Sequence, residues 1–280
     1  MPELPDITVY LEALESRVVG QALKRIRVAN VFVLRTAVPP VTTLEGRKVI
    51  ALRRLGKRIV LGFEGDHWLV IHLMIAGRLQ WSDDKAKPVA RNALATLFFE
   101  HGALTLTEAG TKRRASLHVV AGAAGLVAHE RGGLEVLAST PAEFGAALTR
   151  ENHTLKRALT DPQLFSGIGN AYSDEILHTA KLSPFATSSR LTPDQISTLY
   201  AVMRSTLADA IERSEGQDAA RLKGEKRSGM RVHARTGLPC PVCGDVVREV
   251  SFAERSFQYC ATCQTGGKPL ADRRMSKLLK

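Results

Sequence analysis

Four cysteines restrict what the C-terminal part of this chain can fold into. They form two Cys-x-x-Cys pairs separated by 16 residues, Cys240 with Cys243 and Cys260 with Cys263, and the chain has no other cysteine. Such pairs bring four thiolates to one tetrahedral ion, while the residues between them form a hairpin. We therefore predict a zinc finger with one structural Zn²⁺ and no open position for chemistry. Disulfides are the alternative, which a cytoplasmic location disfavours.

Positive charge is concentrated in the same part of the chain. The 280 residues carry a net charge of +11, and residues 221–280, with 13 Lys+Arg and 5 Asp+Glu, supply +8 of it. Basic segments of this kind bind polyanions, because each neutralised phosphate releases condensed counterions. The pattern favours a nucleic-acid partner, and an ordinary solvated basic surface is the alternative.

The sequence shows no sign of a membrane span or of a secretion signal. Its longest apolar runs, 69–77 and 119–128, are far shorter than the roughly 18 residues that a membrane helix needs. The N-terminus carries acidic residues and two prolines where a signal peptide would carry positive charge. We expect a cytoplasmic protein with no membrane contact.

The first 120 residues have the pattern of a β-rich domain behind a leading helix. Asp6 is a predicted helix cap, apolar residues recur at helical spacing after it, and Gly20 is a predicted helix end. Short apolar runs separated by turn residues follow, which is typical of a β-sandwich. The predicted strands are 23–33, 48–55, 58–63, 68–75, 93–99 and 104–107.

The pattern becomes helical after residues 121–133, which are rich in Ala and Gly and are interpreted as a linker. In the turn Gly167-Ile-Gly169-Asn170, backbone amides precede a helix that Asn170 is predicted to cap. Amides at a helix N-terminus bind anions, which suits a DNA phosphate, and an ordinary tight turn is the alternative. The predicted helices are 142–148, 154–159, 171–181 and 193–213.

Three stretches of sequence occur in an order that resembles a known family. They are the start Pro2-Glu3-Leu4-Pro5, the stretch 166–178 (SGIGNAYSDEILH) and the cysteine-containing stretch 239–265. Together they resemble the formamidopyrimidine-DNA glycosylase and endonuclease VIII family of base-excision repair enzymes. The resemblance implies an α+β multidomain protein with one zinc ion, which binds damaged double-stranded DNA between its two halves as a monomer. The implied domains are a catalytic β-sandwich domain (1–120), the linker (121–133), a helix-two-turns-helix domain (134–230) and a zinc finger (231–280).

The resemblance implies that Pro2 is the catalytic nucleophile. If Met1 is removed, Pro2 offers a secondary amine with a pKa of about 7.7–8, which can attack the deoxyribose C1′, expel the base and leave a Schiff base. The resemblance also makes Glu3 the proton donor, Lys57 a residue that assists glycosidic cleavage and β-elimination, and Arg255 a phosphate contact that assists δ-elimination. The alternatives are a rigid chain start for Pro2, a helix-dipole partner for Glu3 and a solvated hairpin lysine for Lys57.

Further positions match residues that contact DNA in the family. The implied phosphate contacts are Lys156, Gly169 and Asn170, with a surface lysine and a plain helix cap as alternatives for Lys156 and Asn170. Three more residues match the same motif, with packing and helix capping as alternative roles: Tyr172, Asp174 and Glu175.

Two loops depart from the family at positions that contact bases. Where the family has Gly-Met, this chain has Met74-Ile75, so in strict register Ile75 is the apolar wedge in the base stack. Met74 as the wedge and an ordinary core residue are the alternatives. Arg113 and Arg114 are expected to reach the orphaned base, but Ala115 stands where the family has an aromatic wedge.

The predicted function is a DNA glycosylase with abasic-site lyase activity that acts on oxidatively damaged bases, with ring-opened or oxidised purines as the first substrates. Residues 214–230 lack the family's loop over 8-oxoguanine, and Asp6-Ile7-Thr8-Val9 replaces its early glutamates, so we expect a changed damage pocket. Oxidised pyrimidines, as for endonuclease VIII, are an alternative substrate class. A non-catalytic protein that binds damaged DNA is the alternative from another class.

Overall fold

The computed structural model of the chain describes residues 1–83, 92–110, 112–215, 229–252 and 255–271, apart from the side chains of Phe252 and Arg255. The chain divides into two compact units. Of the described residues, the first unit holds 1–131 and 214–215, and the second holds 132–213, 229–252 and 255–271. Among these residues, no helix combines the length and the apolar character that a membrane crossing requires.

The first unit begins with helix α1, Leu4–Val18. Its N-cap is Glu3, whose backbone N–H donates to the Asp6 carboxylate at 2.7 Å and whose carboxylate accepts from the Asp6 backbone N–H. The prediction that Asp6 caps the helix is therefore wrong, because Asp6 lies within the first turn and closes this reciprocal box. Beyond the helix, Gly20 has a φ of +81°, a left-handed conformation that turns the chain toward the first strand.

Two four-stranded antiparallel sheets form the rest of the first unit and confirm the predicted β-sandwich. Side chains alternate between the two faces of each strand, so Ile59, Leu61 and Phe63 of one strand all enter the same core. One sheet has the strand order β1 (Arg25–Val28), β6 (Ala93–Phe99), β7 (Gly102–Glu108), β5 (Gly77–Ser82). The other has the order β2 (Val49–Leu55), β3 (Arg58–Phe63), β4 (His67–His72), β8 (Ser116–Ala121).

The strands differ from the predicted runs at four places. The run 23–33 is a strand only as far as Val28, and the 3₁₀ helix Val31–Val33 follows it. The run 68–75 stops being a strand at His72, because a turn follows. Strands β5 and β8 are absent from the predicted set, since polar residues interrupt the apolar pattern of both.

Residues 121–133, interpreted as a linker, contain helix α2, Gly122–Val127. Leu126 is only 7% exposed and packs with Val60 and its apolar neighbours on the outer face of the second sheet. Gly125 allows the close approach, since a Cβ there would lie 3.1 Å from a β8 side chain. Strands β3 and β4 are therefore buried on both faces, which explains their nearly continuous apolar sequences.

Four further helices build the second unit, at the places where the sequence predicts helices. A reciprocal capping box between Thr140 and Glu143 starts the first of them, and the Thr154 hydroxyl caps the second. Gly169 is the N-cap of the third, so the prediction that Asn170 caps it is wrong by one residue. The helices are α3 (Pro141–Thr149), α4 (Leu155–Thr160), α5 (Asn170–Thr179) and α6 (Pro193–Ser214), and the 3₁₀ helix Ser188–Arg190 precedes α6.

A β-hairpin joins the two cysteine pairs, as their spacing predicts. Strand β9, Val247–Phe252, pairs antiparallel with β10, Arg255–Cys260, and the short helix α7, Ala261–Thr265, follows. The hairpin begins just after the first cysteine pair, and β10 ends on Cys260. Both pairs therefore lie at the same end of the hairpin.

Leu126→Ala tests whether α2 is part of the packed first unit. Removal of this buried side chain is expected to lower the free energy of unfolding by about 2 kcal/mol, because it leaves a cavity against the sheet. Urea unfolding followed by the fluorescence of Trp68 and Trp81, both in the first unit, measures the loss. The neighbouring Val127→Ala, at a position 58% exposed, is the control and should change stability by less than about 0.5 kcal/mol. Equal stability of the two variants would contradict this packing.

Candidate active site and zinc centre

Pro2 and Glu3 are buried where α1 begins. The Glu3 carboxylate accepts the backbone N–H of Asp6, so its position is fixed by the capping box described above. Glu3 thus has a structural role as the N-cap of α1. Its role as a proton donor and the role of Pro2 as the nucleophile stay predictions.

Lys57 lies at the tip of the hairpin that joins β2 to β3. The turn consists of Gly56 and Lys57, and Gly56 adopts a φ of +61°, as tight hairpin turns require. Leu55 and Arg58 close the turn as the last pair of the two strands. Helix α1, which Pro2 precedes, packs against the two strands that this hairpin joins.

A cluster of cationic and imidazole side chains surrounds this turn, and the sequence analysis missed it. Arg58 and His72 are directly paired across β3 and β4, and His118 lies on the same outer face, one strand further on. Burial, followed by the charges of Arg58 and Lys57, lowers the pKa of His72 to about 4. The signal in the sequence is His72 itself, which interrupts an apolar run.

Residues that follow α2 extend this cluster. Arg58 donates from Nη1 to the His129 carbonyl at 3.3 Å, and the rings of His118 and His129 meet edge to face with centroids 4.7 Å apart. Burial, followed by the charge of His129, lowers the pKa of His118 to about 4. The imidazoles are therefore neutral at pH 7 and lie beside the positively charged guanidinium of Arg58.

The turn after β4 separates the roles of Met74 and Ile75. Met74 has a φ of +51°, a left-handed conformation that favours glycine. Ile75 is 58% exposed, and the Gly77 N–H closes the turn by donating to the Leu73 carbonyl at 2.9 Å. Met74 thus occupies a backbone position that suits glycine. Whether Ile75 enters a base stack stays a prediction.

A buried carboxylate shapes the loop that carries Arg113 and Arg114. Glu108, at the end of β7, accepts the backbone N–H groups of Arg114 at 2.8 Å and Ala115 at 2.9 Å. Both arginine side chains are exposed, while Ala115 is buried in the sandwich core. The position where the family has an aromatic wedge therefore faces inward.

At the start of α5, Lys156 and Asn170 are already engaged with the protein. The Lys156 ammonium donates to the Asn170 carbonyl at 2.8 Å and to Ser173 Oγ at 2.7 Å, and it pairs with the Asp174 carboxylate. The Asn170 side chain donates from Nδ2 to the Ser256 carbonyl of β10 at 2.7 Å. Lys156 is thus a buried lysine that supports the start of α5, and its contact with phosphate stays a prediction.

The two acids of α5 attach the segment that leads into the finger. Glu175 accepts three consecutive backbone N–H groups, those of residues 231–233, at 2.7, 3.0 and 2.8 Å. Burial raises the pKa of Glu175, and these N–H donors act in the opposite direction. Asp174 accepts from His233 Nδ1 at 2.7 Å, and Tyr172 is buried beside them. Asp174 and Glu175 are therefore buried hydrogen-bond acceptors, and whether the three motif residues also contribute to DNA binding stays a prediction.

The four cysteine sulfurs fit a tetrahedral zinc ion. Two thiolates that each lie 2.3 Å from one zinc ion are about 3.8 Å apart at the tetrahedral angle. The Sγ atoms of Cys240 and Cys263 are 3.9 Å apart, and those of Cys243 and Cys260 are 3.4 Å apart. One structural zinc ion fits the finger, and Cys240, Cys243, Cys260 and Cys263 are the residues that would hold it.

Two sequence predictions lie partly or wholly outside the described residues. Arg255 opens β10 opposite Phe252, and its side chain lies outside the described residues. Most of the segment 214–230, with its expected change in the damage pocket, lies outside them as well.

The β-sandwich that follows a buried Pro-Glu pair, together with a helical unit that carries a four-cysteine zinc finger, defines the class of helix-two-turns-helix DNA glycosylases. Family profiles match three parts of the chain. The "Formamidopyrimidine-DNA glycosylase N-terminal domain" matches residues 1–116, the "Formamidopyrimidine-DNA glycosylase H2TH domain" residues 135–221, and the "Zinc finger found in FPG and IleRS" residues 237–266.

Individual relatives agree with these profiles. A formamidopyrimidine-DNA glycosylase of Heliobacterium modesticaldum is 30% identical over 277 residues, which cover 94% of this chain and 100% of the relative. A Mycobacterium tuberculosis protein described as an uncharacterized formamidopyrimidine-DNA glycosylase-like protein is 64% identical over 138 residues, 49% of this chain and 87% of that protein. The chain belongs to the formamidopyrimidine-DNA glycosylase family.

Solved structures show the same fold. The Lactococcus lactis Fpg in complex with DNA that contains an abasic site superposes with a TM-score of 0.84 at 24% identity, and the match covers 94% of this chain and 99% of that one.

The neutral state of His72 predicts how the first unit loses stability in acid. Its folded pKa of about 4 lies below the value near 6.5 of an unfolded histidine, so the unfolded chain binds more protons between these values. The contribution of His72 to stability is complete above about pH 6.5 and is lost as the pH falls toward about 4. His72→Gln should reduce this acid-induced loss by about 1–2 kcal/mol, measured by urea unfolding with tryptophan fluorescence between about pH 7 and pH 4.

The matched control for this prediction is the exposed His101→Gln, which should keep the wild-type pH dependence. A His72→Gln protein that loses as much stability as the wild type over this range would contradict the assignment.

Proposed function

We propose that this protein is a DNA glycosylase with abasic-site lyase activity, which excises oxidatively damaged bases from duplex DNA through a Schiff base on Pro2. The observation that carries the proposal is the burial of Pro2 and Glu3 at the start of α1, in a chain that matches its family over nearly its whole length. The presence of Pro2, Glu3 and Lys57 together favours an enzyme over a protein that only binds damaged DNA.

In the proposed reaction, the Pro2 amine becomes available when Met1 is removed. Its lone pair forms a bond to C1′ of the damaged nucleotide while the glycosidic bond breaks, and the proton that the amine then loses goes to the departing base. Opening of the C1′–O4′ bond, with a proton from Glu3 to O4′, leaves the iminium. Loss of a C2′ proton then expels the 3′ phosphate, and the positive charge of Lys57 stabilises the phosphate that leaves.

The partner of the second unit is damaged double-stranded DNA, bound by a monomer. We propose that a phosphate binds where α5 begins, at Gly169 and Asn170, because helix N-termini attract anions. Lys156 holds the backbone of this site in place through its hydrogen bond to the Asn170 carbonyl. Arg255, on β10 of the finger, is proposed to grip a second phosphate and to assist δ-elimination.

Ring-opened or oxidised purines are the proposed substrates, because the full-length relative from Heliobacterium modesticaldum is a formamidopyrimidine-DNA glycosylase. Arg113 and Arg114 are exposed and are proposed to reach the orphaned base. The burial of Ala115 removes the aromatic wedge of the family from the same loop. This observation favours a relaxed choice of opposite base and keeps oxidised pyrimidines as a second substrate class.

Borohydride trapping tests the covalent intermediate. The purified protein, with loss of Met1 verified by mass spectrometry, is incubated with duplexes that carry an abasic site, formamidopyrimidine, 8-oxoguanine or thymine glycol. We expect trapped complexes on the abasic site and on at least one purine lesion. Pro2→Gly should abolish trapping, and Glu3→Gln should lower trapping on the base lesions by at least about 100-fold, the range of a lost proton transfer.

A chain that retains an N-terminal extension before Pro2 is the matched control, since its sequence is native but its amine is blocked. Trapping on the abasic site alone would restrict the protein to a lyase. The absence of trapping on every duplex, with Pro2 confirmed as the first residue, would reject the enzyme and favour the protein that only binds damaged DNA.

Paired variants in the turn after β4 identify the wedge. Ile75→Ala should slow base excision by about tenfold, which corresponds to about 1.4 kcal/mol of lost support for the opened stack. Met74→Gly should leave excision unchanged, because its φ of +51° suits glycine. Single-turnover excision on the preferred lesion measures both rates. The reverse result, with only Met74→Gly slowed, would make Met74 the wedge.

A further inference from the structure

His178 is a buried histidine in the last turn of α5 that touches the zinc centre. Its side chain is 2% exposed, and its Nε2 lies 3.2 Å from Cys240 Sγ. One ligand atom of His178 and the sulfurs of Cys240, Cys260 and Cys263 all lie within 4.8 Å of one another. Cys243 is the fourth cysteine of the predicted site and is not part of this group, so His178 is a fifth donor atom beside the four predicted thiolates.

Tetrahedral zinc takes four ligands, and the four cysteines supply them without the imidazole. The 3.2 Å between Nε2 of His178 and Cys240 Sγ suits a hydrogen bond from an N–H group to the sulfur. Among the described residues, Nδ1 of His178 is buried and has no hydrogen-bond partner. The sulfur is therefore the contact that orients the ring.

We infer that Nε2–H of His178 donates a hydrogen bond to the zinc-bound thiolate of Cys240, which makes His178 a positioning residue of the metal centre. Four thiolates around Zn²⁺ carry a net charge of −2, so a donor to one sulfur stabilises the site. Groups that hydrogen-bond to metal ligands raise metal affinity by about 10–100-fold. The sequence could not indicate this role, because 62 positions separate His178 from Cys240.

The hydrogen bond gives α5 a second attachment to the finger, at the opposite end of the helix from the first. At its start, Asn170 donates to the Ser256 carbonyl of β10. At its end, His178 contacts the cysteine that begins the first pair. Between them, Glu175 holds residues 231–233. Helix α5 is therefore held at three points along its length. Because His178 lies outside the finger sequence, the inferred hydrogen bond makes zinc retention depend on a residue of α5.

His178→Phe in the full-length zinc protein tests the inference. The rate of zinc transfer to an excess of a chromogenic chelator should rise by about 10–100-fold, because the sulfur loses its donor. His153→Phe, the same substitution at a partly buried histidine before α4 in the same unit, is the matched control and should release zinc at the wild-type rate. Equal rates for His178→Phe and the wild type would overturn the inference.

Cobalt substitution separates a hydrogen bond from direct ligation. Both the wild type and His178→Phe should show the absorption of a four-thiolate Co²⁺ site. A wild-type spectrum with three thiolates and one nitrogen would overturn the inference in favour of His178 as a ligand. If His178→Phe does not fold, His178→Gln and His178→Met decide the same point. Gln keeps an N–H donor and should retain zinc better than Met, and equal release by the two would overturn the inference.

Discussion

Buried carboxylates that accept hydrogen bonds from the backbone and from side chains organise the second unit. Glu175 takes three consecutive N–H groups of residues 231–233, and Asp174 takes Lys156 and His233. A buried carboxylate without donors is costly, and so is a buried N–H group without an acceptor. The buried carboxylates and the buried N–H groups therefore need each other. Their hydrogen bonds hold the finger to α5, and a shift of one residue would break them. The zinc ion fixes the far end of the same segment.

Buried carboxylates that accept backbone N–H groups also occur at two places in the first unit. Glu3 and Asp6 satisfy each other's backbone at the start of α1, and Glu108 holds the loop of Arg114 and Ala115. These acids are buried, and their carboxylates accept N–H groups of the backbone. In both places a buried acid therefore fixes the backbone beside a candidate site.

The features that sequence analysis predicted well depend on short-range spacing. The zinc hairpin follows from two cysteine pairs, and helix α6 from its apolar period, since both patterns are local. The misplaced helix caps Asp6 and Asn170 are local errors, whereas two other errors depend on contacts between distant residues. The sequence of helix α2 is typical of a linker, but its small Ala and Gly residues allow close packing on the apolar outer face of β3 and β4. The surface-lysine alternative for Lys156 fails because Asp174, 18 positions later, lies beside it.

Two loops of the first unit differ from the family in sequence, and the differences determine which side chains are exposed there. In the turn after β4, the left-handed position carries Met74, and the adjacent Ile75 is exposed. In the loop after β7, Ala115 enters the core while two arginines remain outside. Of the described residues in these two loops, Ile75 is the only large apolar side chain that is exposed. On the proposed function, contact of these loops with DNA rests on one aliphatic side chain and two guanidinium groups. Charge then supplies most of the affinity there, and shape supplies little discrimination between opposite bases.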